Sequence, residues 1–255
     1  MLLATWNVNS IRARHDRFVA WIGKHQPDVL CLQELKIEAS GLEALKLEEL
    51  GYRVVANCQR TYNGVAILSK EPLEDVAIGL DDGEDDPQAR FVAATVRGVR
   101  VLCVYVPNGG EIGSDKFDYK LRWLDRLRAY LDANCDPSMP LAVCGDFNVA
   151  PEARDVFDPG LMEGDVLFHP ASRAALAKVM DWGLVDAFRL HEDAAGLYSW
   201  WDYRMLGFPK NRGLRIDLVL ATRSLAARVQ GGFIDREERK GKQPSDHAPV
   251  VIRID

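Results

Sequence analysis

A carboxylate and a carboxamide stand two residues apart in the segment Cys144–Pro151, which reads CGDFNVAP. The segment continues an apolar run that begins at Leu141, and its glycine and proline are typical of a strand that ends in a loop. Residues i and i+2 of a strand point to the same side, so we expect Asp146 and Asn148 to face one small ligand. An aspartate can orient or deprotonate a water molecule, and an asparagine amide can donate a hydrogen bond to an oxyanion.

Other polar side chains stand where further apolar, strand-like runs end or begin. These residues are Asn7, Glu34, Tyr105, Asn108, Asp217, Asp246 and His247. Where neighbouring strands run in opposite directions, the end of one and the start of the next lie at the same edge of a sheet. A cap or a turn explains any one of these residues alone, but their recurrence at strand ends predicts a single cleft that also contains Asp146 and Asn148.

The residue types in the predicted cleft indicate a metal-assisted hydrolase. Mg²⁺ typically binds through one or two carboxylates together with substrate phosphates and water, and Glu34 suits that role. The sequence contains no HExxH, P-loop or GxSxG motif. An imidazole at His247 beside Asp217 could be held protonated and could stabilise a pentacovalent phosphate. One Mg²⁺, a water-activating aspartate and a His–Asp pair together indicate phosphodiester hydrolysis.

Strand-like and helical segments are interleaved along the whole chain. Apolar runs predict strands at 2–6, 29–32, 52–56, 65–68, 91–96, 99–106, 141–144, 218–221 and 249–252. Four helices are predicted: one from an N-cap at Ser10 to a stop before Pro27, one ending at Gly51, one carrying the apolar stripe Phe117–Leu131, and one over Ser172–Trp182.

The arrangement of these elements favours a layered fold. Hairpin-like pairs, such as the two strands that meet at Arg97 and Gly98, favour helices packed on mixed or antiparallel sheets over a parallel βαβ array. No linker-like or low-complexity segment divides the chain. We therefore expect a single domain over residues 1–255.

Composition and charge narrow the function classes further. The chain is 47% hydrophobic, yet no apolar run approaches the ~20 residues of a membrane span. Because no signal-peptide pattern precedes Trp6, we expect a cytoplasmic protein with no membrane partner. The net charge of −6 argues against binding a polyanion by bulk charge, but the segments 200–215 and 236–242 are locally basic and could contact phosphates.

The cysteine pattern indicates free thiols. The five cysteines form no CxxC pair, and Cys31, Cys103 and Cys144 lie within apolar runs. Buried free thiols are therefore expected, and a structural zinc site is not.

No apolar helix face is left without a partner, so we expect a monomer.

Several segments together resemble the exonuclease III family of abasic-site endonucleases, within the endonuclease/exonuclease/phosphatase superfamily. They are Asn7, LQELK at 32–36, YVPNG at 105–109, GDFNVAP at 145–151, NRGLRIDL at 211–218 and SDHAP at 245–249. The segments occur in the order of the family and extend over the whole chain. Some are shared across the superfamily, whereas SWWDYR at 199–204 is much more specific to the DNA-repair branch. The resemblance implies an α/β (α+β) fold, a four-layer sandwich of two packed mixed β-sheets flanked by helices.

The resemblance also implies a catalytic centre. The residues concerned are Tyr105, Asp146, Asn148, Asp217 and His247. Asp146 would align or deprotonate the attacking water, with Asn148 hydrogen-bonding beside it. His247, paired with Asp217, would contact the scissile phosphate from the wall opposite Tyr105. Whether Asp146 or a Tyr105 phenolate activates the water is left open.

Metal and substrate contacts follow from the same resemblance. Glu34, helped by Asn7, would hold Mg²⁺, for which Mn²⁺ could substitute, and Asp246 would reach the metal through water. The implied substrate-binding residues are Asn108 near the lesion, Trp200 against the extruded abasic sugar, Leu214 and Ile216 in the same pocket, and Arg90 and Arg60 on the DNA backbone or groove. At Asn9 some members carry Asp, which leaves open a second metal contact there.

These residues predict a DNA-repair nuclease. It would cut the phosphodiester 5′ to an abasic site in double-stranded DNA, and it would also act at 3′ ends as an exonuclease and as a phosphatase or phosphodiesterase. A phosphatase for small phosphoesters on the same fold is an alternative, although it would not need the SWWDYR segment. A non-catalytic DNA-binding module is disfavoured because every expected catalytic position is filled.

Overall fold

The computed structural model describes residues 1–255, which form two β-sheets and six α-helices. The strands are β1 (Leu2–Asn7), β2 (Val29–Gln33), β3 (Arg53–Asn57), β4 (Val65–Ser69), β5 (Glu74–Ile78), β6 (Phe91–Val96), β7 (Val99–Tyr105), β8 (Leu141–Asp146), β9 (Leu184–Asp186), β10 (Asp217–Thr222), β11 (Val229–Ile234) and β12 (Val250–Ile254). The helices are α1 (His15–His25), α2 (Ala39–Glu43), α3 (Asp115–Asn134), α4 (Pro159–Met162), α5 (Pro170–Met180) and α6 (Arg223–Ala226).

Each sheet contains six strands and one parallel pair. The first sheet has the order β11-β12-β1-β2-β4-β3, in which only β1 and β2 are parallel. The second has the order β5-β6-β7-β8-β10-β9, in which only β7 and β8 are parallel. Both sheets are therefore mixed, as predicted, and β6 and β7 form the expected hairpin through Arg97 and Gly98, both with positive φ.

The alternation of side chains along the strands produces the layers. Residues such as Cys31 of β2 and Cys103 and Cys144 of the second sheet face inward and form one apolar core between the two sheets. The opposite face of the first sheet packs against α1 and α2, and that of the second sheet packs against α3 and α5. This arrangement is the predicted four-layer sandwich. All five cysteines are free, and none of the helices has the length and apolar character that a transmembrane segment requires.

Strand register brings the polar strand ends to one edge of the sandwich. In the parallel pairs, Asn7 lies opposite Gln33 and Tyr105 lies opposite Asp146. Strand β10 runs antiparallel to β8, and its first residue, Asp217, is paired with Asp146. The endings of four strands and the beginning of a fifth thus meet, as the sequence pattern predicted.

The first helix begins later than predicted. It starts at His15, whereas Ser10 has a φ of 82° and precedes a turn over residues 11–14. The segment before the helix is held instead by the loop after β2, because the backbone N–H groups of Ser10 and Ile11 donate to the carbonyls of Glu34 and Leu35 at 2.8 and 3.2 Å. The prediction of Ser10 as N-cap was therefore wrong, since these tertiary hydrogen bonds delay helix formation by one turn.

The second predicted helix is broken. Helix α2 ends at Glu43, and Lys46 adopts a φ of 51° before a short 3₁₀ turn over Leu47–Leu50. Gly51, with a φ of 85°, ends that turn and fills the terminating role predicted for it. The third and fourth helices, α3 and α5, lie where their apolar periodicity placed them, and Ser114 caps α3 through the N–H of Phe117.

Candidate active site

An imidazole and two carboxylates form the centre of the cleft. His247 Nδ1 lies 2.8 Å from Asp217 Oδ2, and its Nε2 lies 3.7 Å from Asp146 Oδ2. All three side chains are almost completely buried. Because Nδ1 donates to Asp217, the other ring nitrogen faces the space in front of Asp146, where a phosphate oxygen could accept from it.

Burial and mutual charge shift the pKa values of these groups. Burial lowers the pKa of His247, but the carboxylates of Asp217 and Asp146 more than offset that effect and raise it to about 10. Burial raises the pKa of Asp146 to about 7, the charge of Asp217 adds to the rise, and His247 opposes it. The imidazole is consequently positively charged at neutral pH.

Glu34 adds a further carboxylate to this group. Ligand atoms of Glu34, Asp146 and His247 lie within 4.8 Å of one another. The amide nitrogen of Asn7 donates to Glu34 Oε1 at 2.8 Å and to Asp146 Oδ2 at 2.9 Å, so that it holds the two carboxylates side by side. Lys36 Nζ lies 2.7 Å from Glu34 Oε2. Two adjacent carboxylates, one of them half-buried, fit a hard cation such as Mg²⁺ that keeps water in its shell.

The GDFN segment reaches the site by a turn. Strand β8 ends at Asp146, and Asn148 adopts a φ of 49°, outside the strand region. Its backbone N–H donates to Asp146 Oδ1 at 2.9 Å, and its side-chain amide donates to the carbonyl of Val106 at 2.9 Å. The two residues do share one site, but the predicted reason, alternation along a strand, was wrong: an aspartate-centred turn brings them together.

Tyr105 and Arg90 form a wall of the cleft near Glu34 and Asp146. The Arg90 guanidinium lies 4.6 Å from the centre of the Tyr105 ring, and its Nη1 donates to the Tyr105 carbonyl at 3.1 Å. Burial, together with the charges of Glu34 and Asp146, raises the pKa of Tyr105 well above its ordinary value. Arg90 is only 9% exposed, because its guanidinium is packed against Tyr105. These contacts orient Tyr105.

A mainly apolar cavity of about 240 Å³, whose lining also includes Asp165, Asp202, Arg204 and Arg212, lies next to Trp200, whose backbone is bridged to that of His247. Trp200 and Leu214 line it, and their backbones are paired in an isolated antiparallel bridge. Ile216 packs in the same cluster but lies behind the lining. Trp200 is half-buried, whereas Trp201 is fully buried against Phe208, so only the first of the two tryptophans faces the cavity.

Hydrogen bonds link the cavity wall to the carboxylates. Trp200 Nε1 donates to Asp246 Oδ2 at 3.0 Å, and Asn9 Nδ2 donates to Asp246 Oδ1 at 2.9 Å. Burial acts to raise the pKa of Asp246, but His247 and these two donors hold it below its ordinary value. Lys36 Nζ in turn donates to Asn9 Oδ1 at 2.7 Å. Asp246 thus lies between the cavity wall and the Glu34 region.

The two remaining predicted substrate contacts lie at the surface. Asn108 is exposed, and its side-chain amide donates to Asn148 Oδ1 at 3.1 Å, which joins it to the turn after β8. Arg60 is exposed in the loop between β3 and β4, and its side chain makes no hydrogen bond or ion pair with the rest of the chain. The contact of Arg60 with DNA therefore stays a prediction.

Three supporting residues had not been identified from the sequence. The hydroxyl of Ser199 accepts from the N–H groups of Ile216 and Asp217 at 3.1 Å each, and the hydroxyl of Ser245 donates to the Asn7 carbonyl at 2.7 Å. The third is Lys120, which is fully buried behind the site. A signal for Lys120 does exist, because it follows Phe117 by three residues and so falls on the apolar stripe of α3.

Comparison with known families agrees with this geometry. The model of the Endonuclease/Exonuclease/phosphatase family matches residues 4–247. Among curated proteins, the exodeoxyribonuclease III of Haemophilus influenzae is 35% identical over 262 aligned residues, which cover 98% of this chain and 98% of the relative.

Solved structures include relatives of the same length. An AP endonuclease from Archaeoglobus fulgidus superposes with a TM-score of 0.96 at 39% identity, covering 100% of this chain and 99% of the other. The 3′ phosphatase NExo from Neisseria, bound to a product DNA hairpin, superposes with a TM-score of 0.96 at 38% identity and the same coverage. The chain therefore belongs to the endonuclease/exonuclease/phosphatase family and, within it, to the exonuclease III family of abasic-site endonucleases.

Proposed function

We propose that this enzyme is a Mg²⁺-dependent DNA-repair nuclease that hydrolyses the phosphodiester 5′ to an abasic site in duplex DNA. At 3′ ends it also acts as an exonuclease and as a phosphatase or phosphodiesterase. The observation that carries the proposal is the position of the His247–Asp217 pair and of Asp146 beside an apolar cavity lined by Trp200. His247, Asp217 and Asp146 would hydrolyse the phosphoester, and the cavity would recognise the lesion.

In the proposed reaction, Asp146 takes a proton from the attacking water or aligns it. The water oxygen bonds to phosphorus while the bond from phosphorus to the 3′ oxygen breaks. The departing oxygen takes a proton from solvent water, which leaves a 3′-hydroxyl and a 5′-deoxyribose phosphate. The His247 imidazolium donates from Nε2 to a phosphate oxygen as negative charge accumulates there, and Asp217 maintains its tautomer and charge. Tyr105 contacts the phosphate from the wall opposite His247, Asn148 hydrogen-bonds beside Asp146, and Asn108 contacts the phosphate next to the lesion.

Glu34 is the proposed direct metal ligand. Asn7 orients its carboxylate, and Asp246 acts through water. Mg²⁺, when bound, neutralises phosphate charge and polarises the phosphoryl group. The donor set of oxygen atoms also suits Mn²⁺.

We infer that the cavity beside the site contributes to selectivity for abasic positions. Trp200 and Leu214 in its wall offer apolar contact to an extruded deoxyribose. Extruding a nucleotide from the stack costs least where no base pair must be broken. Apolar contact with the bare sugar therefore favours the lesion over intact DNA.

The remaining properties follow from the whole chain. Residues 1–255 act as one nuclease domain, because a single core joins both sheets and the site draws residues from each. Five free cysteines suit a reducing compartment, so we place the enzyme in the cytoplasm. We also propose that it acts as a monomer. Its substrates are double-stranded DNA with abasic sites and DNA with 3′ ends.

The direct test uses an end-labelled duplex that contains one abasic-site analogue, with the intact duplex as control. In Mg²⁺ we expect a single cut at the lesion, no internal cut in the intact duplex, and no product when a chelator is added. Shortening from 3′ ends without the internal cut would restrict the enzyme to exonuclease activity. If neither duplex is cut but a small phosphoester is hydrolysed, the proposal fails.

Replacement of Glu34 by glutamine tests the proposed metal ligand. The amide keeps the shape of the side chain but removes the charge that attracts the cation. We expect the Mg²⁺ concentration for half-maximal cleavage to rise by at least roughly 10–100-fold, because that range already follows from the loss of a residue that only supports a metal ligand. The measurement is a Mg²⁺ titration of cleavage, with Glu43→Gln on α2 as the control. An unchanged Mg²⁺ requirement would contradict the assignment of Glu34.

A further inference from the structure

Lys120 is a buried cation without an anionic partner. Its side chain is fully buried on α3, and its ammonium makes no ion pair. Burial lowers its pKa to about 7, although the charges of Asp146 and Asp165 oppose the shift. A lysine in such a place costs stability unless all of its donors are satisfied. Its retention on an apolar helix face calls for a specific role.

All three donors of the ammonium bond to backbone carbonyls. Nζ donates to Asn148 O at 2.6 Å, to Val166 O at 2.8 Å and to Asn108 O at 3.1 Å. The protonated side chain has three donors, so in that form its capacity is used completely. The three carbonyls belong to loops that are far apart in sequence and do not belong to any strand or helix. Lys120 thus ties three separate loops to one point.

Each of these loops carries part of the proposed active site. The first contains Asn108, and the second contains Asn148, whose N–H donates to Asp146. The third continues from Val166 into Leu167, which lines the apolar cavity. The space around the lysine is fully used: a Cβ on Gly109 would lie 2.9 Å from Lys120 Cδ and 2.8 Å from Val166 Cγ2.

We propose that Lys120 is a positioning residue for the phosphodiester hydrolysis described above. Its ammonium holds the Asp146–Asn148 turn, the Asn108 loop and the cavity edge in register with one another. The inference rests on the proposed function. Because the shortest of its three bonds reaches Asn148, loss of the ammonium acts first on the turn that places Asp146. We therefore expect loss of the ammonium to lower kcat more than it lowers substrate affinity.

The test compares Lys120→Met with the full-length wild type. Methionine fills similar space but leaves three carbonyls without a donor. We expect kcat on the abasic-site duplex to fall roughly 10–100-fold, as for a misplacement of about 1 Å, while KM changes by less than about 3-fold. Lys120→Gln keeps two N–H donors and should give an intermediate kcat. It replaces the methionine variant in the test if that variant does not fold.

A destabilised control separates positioning from general structure. Leu131→Ala removes core packing at the far end of the same helix, where the side chain is fully buried. We expect it to lower Tm without lowering kcat at a temperature where the protein is folded. Amide hydrogen exchange should rise at residues 106–109, 147–150 and 166–168 in the Lys120 variants, with α3 itself still protected.

Two outcomes would overturn the inference. The first is an unchanged kcat in folded Lys120→Met and Lys120→Gln, and the second is a loss of kcat that follows Tm equally in the Lys120 and Leu131 variants. If the wild type itself fails to cut the lesion, the proposed function fails. The exchange pattern of the three loops still decides whether Lys120 holds them.

Discussion

Replacement of Asp146 by asparagine is expected to slow cleavage of abasic-site DNA roughly 10²–10⁴-fold, the contribution typical of a group that handles a proton. Asparagine has nearly the same shape, and its remaining oxygen can still accept from Asn7 or from the N–H of Asn148. It cannot take a proton from water. The measurement is the single-turnover rate with saturating enzyme and Mg²⁺, since product release then has no influence.

Two controls make the result specific. Asp125→Asn changes an exposed aspartate on α3 and should leave the rate within about 2-fold of wild type, as is usual for surface substitutions. Binding of the lesion duplex by Asp146→Asn should be nearly unchanged, because its loss of charge does not remove a DNA contact. A rate for Asp146→Asn close to wild type would contradict a role for Asp146 in activating water.

The same experiment addresses the choice between Asp146 and Tyr105 as the base. The pKa of Tyr105 is raised well above its ordinary value, because the ring is buried and faces Glu34 and Asp146. A phenolate at neutral pH is therefore disfavoured. Tyr105 is the proposed hydrogen-bond donor to phosphate, so the tyrosine-as-base mechanism would regain support only if Asp146→Asn retained activity.

The sequence allowed most of the sheets to be predicted, and the omissions have a common cause. The three strands that were not predicted, β5, β9 and β11, all lie at sheet edges. Strand β5 carries Glu74 and Asp75 and is mostly exposed, β9 has three residues, and β11 contains two adjacent glycines. Edge strands bury one face weakly and pair on one side, so the apolar signal that identifies central strands is missing.

The grouping of the candidate site residues was predictable because these residues mark the ends of buried strands. Polar side chains that follow apolar runs are conspicuous, and sheet geometry brings such ends together, as for Tyr105 and Asp146. The contacts that hold the site were not predictable. Lys120 reaches three loops and Arg90 stacks on Tyr105 only in the folded chain. These contacts depend on tertiary packing, which no local pattern encodes.

The His247–Asp217 pair is expected to act as one unit. His247→Gln should slow single-turnover cleavage roughly 10²–10⁴-fold, because a neutral amide cannot supply the positive charge that faces the phosphate. Asp217→Asn removes the carboxylate that, 2.8 Å away, favours the imidazolium and fixes its tautomer. That variant should therefore lose much of the same rate. His191→Gln, an exposed histidine outside the cleft, should retain wild-type activity.

The double variant decides whether the two residues are coupled. Residues that act together show strongly non-additive effects, so His247→Gln with Asp217→Asn should be only slightly slower than His247→Gln alone. Independent roles would instead multiply the two losses. Since Asp217 is fully buried and also paired through its backbone with Asp146, a folded-state control is needed. Variants with an unchanged Tm and multiplied losses would show that Asp217 contributes to the reaction without acting through His247.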